Sequence, residues 1–267
     1  MQTAQARAIC DPASAFYHDA LTRLSEADIP YLIGGAFAFA EYAKIARDTK
    51  DLDVFLRRGD CRRALALLDQ AGYRTELPFP HWLGKVHGNG HWMDVIFSSG
   101  NGIAAVDDLW FDHAAETDIF GLRVRLCPAE EMIWSKAFVQ ERERFDGADV
   151  LHLIRALGRS LDWRRLVMRF ADHWRVLFGH VVLFGYVYPD HRDDIPQWVV
   201  EELAGRLAAD CQEAANRLCY GTLLSREQYL IDVGQRGYRD PRIEPHGPMT
   251  REETDVWTAA IEETKGR

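Results

Sequence analysis

A chain of 267 residues that is 47% hydrophobic can bury a full core, as one large domain or two modest ones. A formal net charge of −9 with no basic run excludes broad DNA binding driven by phosphate neutralisation, leaving room only for a local patch that holds RNA. The five cysteines (Cys10, Cys61, Cys127, Cys211, Cys219) have neither disulfide-framework nor zinc spacing and read as reduced core thiols. Met1-Gln2-Thr3-Ala4-Gln5 opens without a signal pattern and no long uncharged apolar stretch follows, so a cytoplasmic protein with no membrane partner is expected.

In chain order, Pro12 to Ala27 carries Phe16, Ala20, Leu21 and Leu24 at helical spacing and predicts a covering helix. Ile29-Pro30-Tyr31-Leu32-Ile33 is an apolar run that stops at Gly34-Gly35, as a buried strand does on entering a loop. The alanine-rich Ala36 to Ala43 then predicts a helix whose first N–H groups follow the glycines, an anion site made of backbone. Asp51-Leu52-Asp53-Val54-Phe55-Leu56 reads as a strand, and alternation puts Asp51 and Asp53 on one face. Asp60 to Gly72 predicts a helix with Asp60 as N-cap and Gly72 as its stop. Lys85 to Val95 predicts a hairpin turning at Gly88-Asn89-Gly90, with Asp94 sharing a face with Trp92 and Ile96. Asp107-Asp108 and Asp112-His113 read as an acidic loop, and Phe120 to Leu126 as a last strand.

From Pro128 the pattern turns helical. Ala129 to Gly158 predicts one or two helices, Trp163 to Tyr186 one long helix and Pro196 to Leu218 another. Gly221 to Pro248 predicts an irregular arm, and Thr250-Arg251-Glu252-Glu253 a capping box opening a helix through Glu263. The expected organisation is residues 1–127 as one domain and 128–267 as a helical domain with that arm.

Two carboxylates on one strand face repel unless a cation lies between them, and hard oxygen donors of this kind suit Mg²⁺ with bound phosphates. The ordered set of Gly34, Gly35, Asp51, Asp53 and Asp94 resembles the nucleotidyltransferase superfamily typified by DNA polymerase beta. Arg47-Asp48-Thr49-Lys50-Asp51-Leu52-Asp53 is closer still to its small bacterial and archaeal branch, which includes the AbiEii-type toxins and uncharacterised proteins. The resemblance runs from about Pro30 to about Leu153. It implies an α+β fold, a small mixed palm-like sheet flanked by helices and followed by a helical C-terminal region. Many members carry a Ser after the glycines or in place of the second; here Ala36 follows them, leaving backbone amides alone to meet the triphosphate.

The same resemblance implies a transferase. Asp51 and Asp53 would hold one or two Mg²⁺ ions bridging a nucleoside triphosphate, with Asp94 completing the second metal site and accepting the proton of the attacking hydroxyl. Lys136 would counter triphosphate charge, with Asp146 or Asp149 positioning it, and Arg47 and Lys50 stand beside the metal strand as further phosphate contacts. Lys136 and its neighbours read equally as a solvated helix face, and Arg47 and Lys50 as surface loop charges. His81, His87 and His91 lack a common zinc spacing, with His91 near the expected acceptor entrance. Trp134, Trp163 and Trp174 read as core. The expected reaction is transfer of NMP from an NTP to an acceptor not identified by the motif: a small molecule, a protein or a tRNA end. The rival readings are a catalytically silent nucleotide-binding or toxin–antitoxin partner, motivated by Ala36, and a metal-dependent hydrolase built on His87 or His91.

Overall fold

A computed structural model describes residues 12–210 and 217–265; Cys10, Cys211 and the Met1–Gln5 segment lie outside them. Two compact units result, one running to Gly100 and resuming over Ala105–Pro128, the other formed by Asn101–Ala104 and the chain from Ala129 on.

The first unit is built on a mixed seven-stranded sheet. Helix α1 (Pro12–Glu26) buries Phe16, Tyr17, Ala20, Leu21 and Leu24, the stripe its sequence spacing demands. Strand β1 (Leu32–Ile33) is only two residues long and fully buried, because it runs antiparallel to β2 (Asp51–Phe55) on one side and parallel to β7 (Leu122–Leu126) on the other. Between β1 and β2 lies α2 (Gly35–Ala43), and α3 (Arg58–Gln70) follows β2. Helix α3 starts earlier than predicted. Its N-cap is Arg57, without a side-chain cap bond, and Asp60 falls in the first turn, where a negative charge still favours the helix dipole. Gly72 at φ +95° ends the helix region as expected.

Strands β3 (Arg74–Phe79), β4 (Leu83–Gly88) and β5 (His91–Ile96) complete one side of the sheet, and β6 (Ala115–Ile119) the other edge, in the order β3-β4-β5-β2-β1-β7-β6. The β4–β5 hairpin turns through Asn89 (φ +54°) and Gly90 (φ +79°), the left-handed pair that a tight two-residue turn requires. The predicted last strand is shorter: Phe120 (φ +53°) and Gly121 (φ +76°) are the turn between β6 and β7. Strands β3 and β6 escaped the sequence because both are edges lacking apolar alternation: β6 is mostly polar, and β3 runs Arg74-Thr75-Glu76 and then Leu77-Pro78-Phe79. The predicted acidic loop contains helix α4 (Asp108–Asp112), capped by the Asp107 carboxylate, which accepts the Leu109 N–H at 3.1 Å.

The second unit is helical: α5 (Ala129–Ala137), α6 (Gly147–Leu157), α7 (Trp163–Phe170), α8 (Trp174–Val187), α9 (Gln197–Ala209), the short α10 (Leu230–Gly234) and α11 (Arg251–Lys265). The single long helix predicted from Trp163 is broken by a 3-10 turn at Ala171–His173, where Ala171 adopts φ +40°. Trp134 and Trp163 are core as predicted, but Trp174 is half-buried, with Arg175 lying over its ring at 4.3 Å. Thr250 and Glu253 form the predicted reciprocal cap, with bonds of 3.1 and 2.9 Å. The 221–248 arm holds a buried ion pair of its own, Arg242 to Asp240 at 2.6 Å, with Thr222 donating to the same carboxylate.

His180 on α8 is 1% exposed and donates from Nε2 to the Ala137 carbonyl at 3.0 Å. Burial lowers its pKa, the carbonyl opposing in part. The unfolded chain therefore takes the proton more readily, so this residue's contribution to stability is present above about pH 6.5 and is lost as pH falls through the depressed folded value. Urea unfolding across that range is expected to show stability falling toward acid, with a shallower fall in His180→Phe.

Candidate active site

The site is built from strand register. In the parallel β2–β5 pair, Asp51 lies opposite Trp92 and Asp53 opposite Asp94; in the antiparallel β4–β5 pair, Lys85 lies opposite Asp94 and His87 opposite Trp92. Alternation therefore sets Asp51, Asp53, Trp92, Asp94, Lys85 and His87 on one face of the sheet. The intervening Leu52, Val54, Met93, Val95 and Val86 are buried, which locks the register by their burial on the opposite face.

Each acid has a distinct setting. Thr49 Oγ1 donates to Asp51 Oδ1 at 2.6 Å and to the Asp51 carbonyl at 3.1 Å, fixing the first carboxylate from the preceding loop. The Asp53 carboxylate lies directly over Gly35: a Cβ placed on Gly35 would stand 1.6 Å from Asp53 Oδ2. Gly35 also takes φ +52°, the left-handed region glycine tolerates. A Cβ on Gly34 would stand 2.3 Å from the Phe55 ring. Each glycine is therefore demanded by a different neighbour on β2. Asp94 is mostly buried, and Lys85 Nζ donates to its Oδ1 at 2.6 Å. Burial raises the Asp94 pKa above the usual carboxylate range; the Lys85 ammonium pulls it back, and the Asp51 charge pushes it up further.

The donor set of β2 fits a hard divalent ion: two carboxylates face the same way, one is oriented by a hydroxyl, and the other is given room by the missing Cβ of Gly35. Among the described residues no three acidic, histidine or cysteine side chains are gathered as a ready cluster, and Asp94 is engaged by Lys85 instead. His87 bonds to Glu76 at 2.7 Å and His81 to the Gly100 carbonyl at 3.0 Å, so neither is oriented toward a zinc cluster.

The other predicted residues are spread more widely. The Arg47 guanidinium stacks on the Phe39 ring of α2 at 4.3 Å. Lys50 lines a groove of about 630 Å³ with Tyr17, Phe37, His91, Trp92 and Phe120, and its carbonyl accepts from the Tyr17 hydroxyl. Lys136 and Asp149 belong to the second unit, where Lys136 bonds Asp149 at 2.9 Å and Asp146 at 3.2 Å, while Arg144 grips Asp146 through two bonds. This is a largely sheltered ion cluster and not the solvated face that a charged run suggests. Lys85 was missed by sequence reasoning, although its signal was present: an Asn-Gly turn at 89–90 sets Gly88 opposite His91, and counting back places Lys85 opposite Asp94.

Residues 17–89 match the family model described as aminoglycoside-2''-adenylyltransferase, a stretch that includes Gly34, Gly35, Asp51, Asp53 and Lys85. That match is consistent with the nucleotidyltransferase superfamily that the glycine and aspartate motif resembles. Similar solved structures include the antibiotic-resistance factor ANT(2'')-Ia, 18% identical over 62% of this chain and 95% of that one, with a TM-score of 0.42. The lincomycin-bound lincosamide antibiotic adenylyltransferase LnuA is 15% identical over 52% and 94%, with a TM-score of 0.36. An antigenic nucleotidyltransferase-like protein from Paracoccidioides brasiliensis is 15% identical over 69% and 92%, with a TM-score of 0.43. No curated protein matches this chain. Among its described residues no helix is long and apolar enough to cross a membrane.

Proposed function

We propose that this chain is a nucleotidyltransferase that moves a nucleoside monophosphate from an NTP to a hydroxyl of a small-molecule acceptor, with Mg²⁺ held by Asp51 and Asp53. The observation that carries the reading is the shared sheet face on which both acids of β2 stand beside Asp94, at the end of the strand–glycine–helix turn. Mg²⁺, when bound, supplies Lewis-acid neutralisation of the phosphate oxygens. The chain's own residues do the rest. The backbone N–H groups opening α2 would meet the phosphates beside the Asp53 carboxylate, with Gly35 and Ala36 adding at most a methyl group of their own. Asp94, its proton affinity raised by burial, accepts the proton of the acceptor hydroxyl as its oxygen bonds to the α-phosphorus. The bond from that phosphorus to the bridging oxygen breaks, and pyrophosphate leaves. The aromatic groove beside Lys50 and Trp92 offers ring faces for the base.

A small acceptor is favoured over a nucleic acid by the net charge of −9 and by the adenylyltransferase family model that matches residues 17–89. The test is pyrophosphate release from each NTP with a panel of aminoglycosides, other hydroxylated antibiotics and tRNA. Release stimulated by one small-molecule class supports the reading. Stimulation by tRNA alone would reassign the acceptor, and no release with any pair would contradict transfer.

A further inference from the structure

The face that carries the three aspartates also carries a lysine that the superfamily motif does not account for. Lys85 Nζ lies 2.6 Å from Asp94 Oδ1, and the two side chains are only 26% and 14% exposed, so the pair is shielded from the solvent that weakens surface ion pairs. It is set by backbone, through the Lys85–Asp94 register of a tight hairpin. Its cross-strand neighbour on β3, Glu76, bonds to His87 at 2.7 Å.

Resting on the transfer reading above, we propose that Lys85 is a built-in cation occupying the place of a second metal ion at Asp94, so that the nucleotide-free site takes one divalent ion, on Asp51 and Asp53. The charge balance supports this. Three carboxylates carry three negative charges; one lysine and one divalent ion cancel them, whereas a second divalent ion at Asp94 would compete with an ammonium already bonded to that carboxylate in a partly sheltered site. Asp94 is thereby kept as a hydrogen-bond acceptor for the acceptor hydroxyl, and Lys85 acts as a positioning residue. A second ion enters only when triphosphate oxygens bring further negative charge.

The experiment is a Mn²⁺ titration of the full chain without nucleotide, read by electron paramagnetic resonance and calorimetry. Wild type and Lys85→Arg, which keeps the charge, are expected to bind one ion. Lys85→Met is expected to bind a second, or to bind Mn²⁺ about tenfold or more tightly. Asp94→Asn in the Lys85→Met background is expected to remove that gain. Equal stoichiometry and affinity in wild type and Lys85→Met overturns the assignment of Lys85 while leaving the transfer reading to stand on pyrophosphate release. Absence in all variants of any Mn²⁺ signal sensitive to Asp51→Asn overturns both. Circular dichroism of each variant separates loss of binding from loss of fold.

Discussion

Replacing Asp51 and Asp53 together by Asn is expected to lower pyrophosphate release by about 10³-fold or more, since ion-mediated charge stabilisation is worth several kcal/mol and each 1.4 kcal/mol is tenfold in rate. The fold should survive. Both side chains sit on the half-exposed face of β2, while the residues that hold the strand, Leu52 and Val54, are untouched. Asn preserves shape and can still accept the Thr49 bond seen at Asp51, so the double variant removes charge more than structure. Metal affinity and turnover are expected to fall together, with the melting temperature unchanged or slightly raised by relief of carboxylate repulsion. Turnover within tenfold of wild type would remove these acids from the chemistry.

Gly35→Ala is the second large effect, and it works through geometry. Ala in the left-handed region costs about 1–2 kcal/mol at any position. Here the methyl must also displace the Asp53 carboxylate, whose Oδ2 occupies its place at 1.6 Å. The expected result is a modest loss of stability and a loss of activity approaching that of Asp53→Asn. Gly121→Ala separates the two causes, because Gly121 has φ +76° with nothing within 4 Å of an added Cβ. It should show the strain cost in urea unfolding with activity retained. Equal activity in Gly35→Ala and Gly121→Ala would mean that the Asp53 position is not needed.

The aspartates were legible because strand alternation is strict: once a segment is a strand, Asp51 and Asp53 must share a face. The glycine pair was legible as a turn, but its reason was not. The sequence suggests a phosphate cradle, whereas the structure adds that Phe55 and Asp53, both further along the chain, exclude a side chain at Gly34 and Gly35. Such long-range contacts leave no local pattern. Lys85 was within reach, since an Asn-Gly turn sets hairpin register, yet its charge alone reads as surface. The break at Ala171 was hidden because apolar spacing continues across it from Phe170 to Leu177. The edge strand β6 is mostly polar, and in β3 three polar residues precede three apolar ones, so neither shows a period of two.

Crystals of the protein soaked with Mg²⁺ and a non-hydrolysable ATP analogue would show whether the acids of β2 hold the metal. The expected result is an ion between the carboxylates of Asp51 and Asp53, the triphosphate against the backbone of Gly34, Gly35 and Ala36, and Asp94 facing the α-phosphorus. A triphosphate bound elsewhere, with Asp51 and Asp53 free of metal at saturating Mg²⁺, would contradict it.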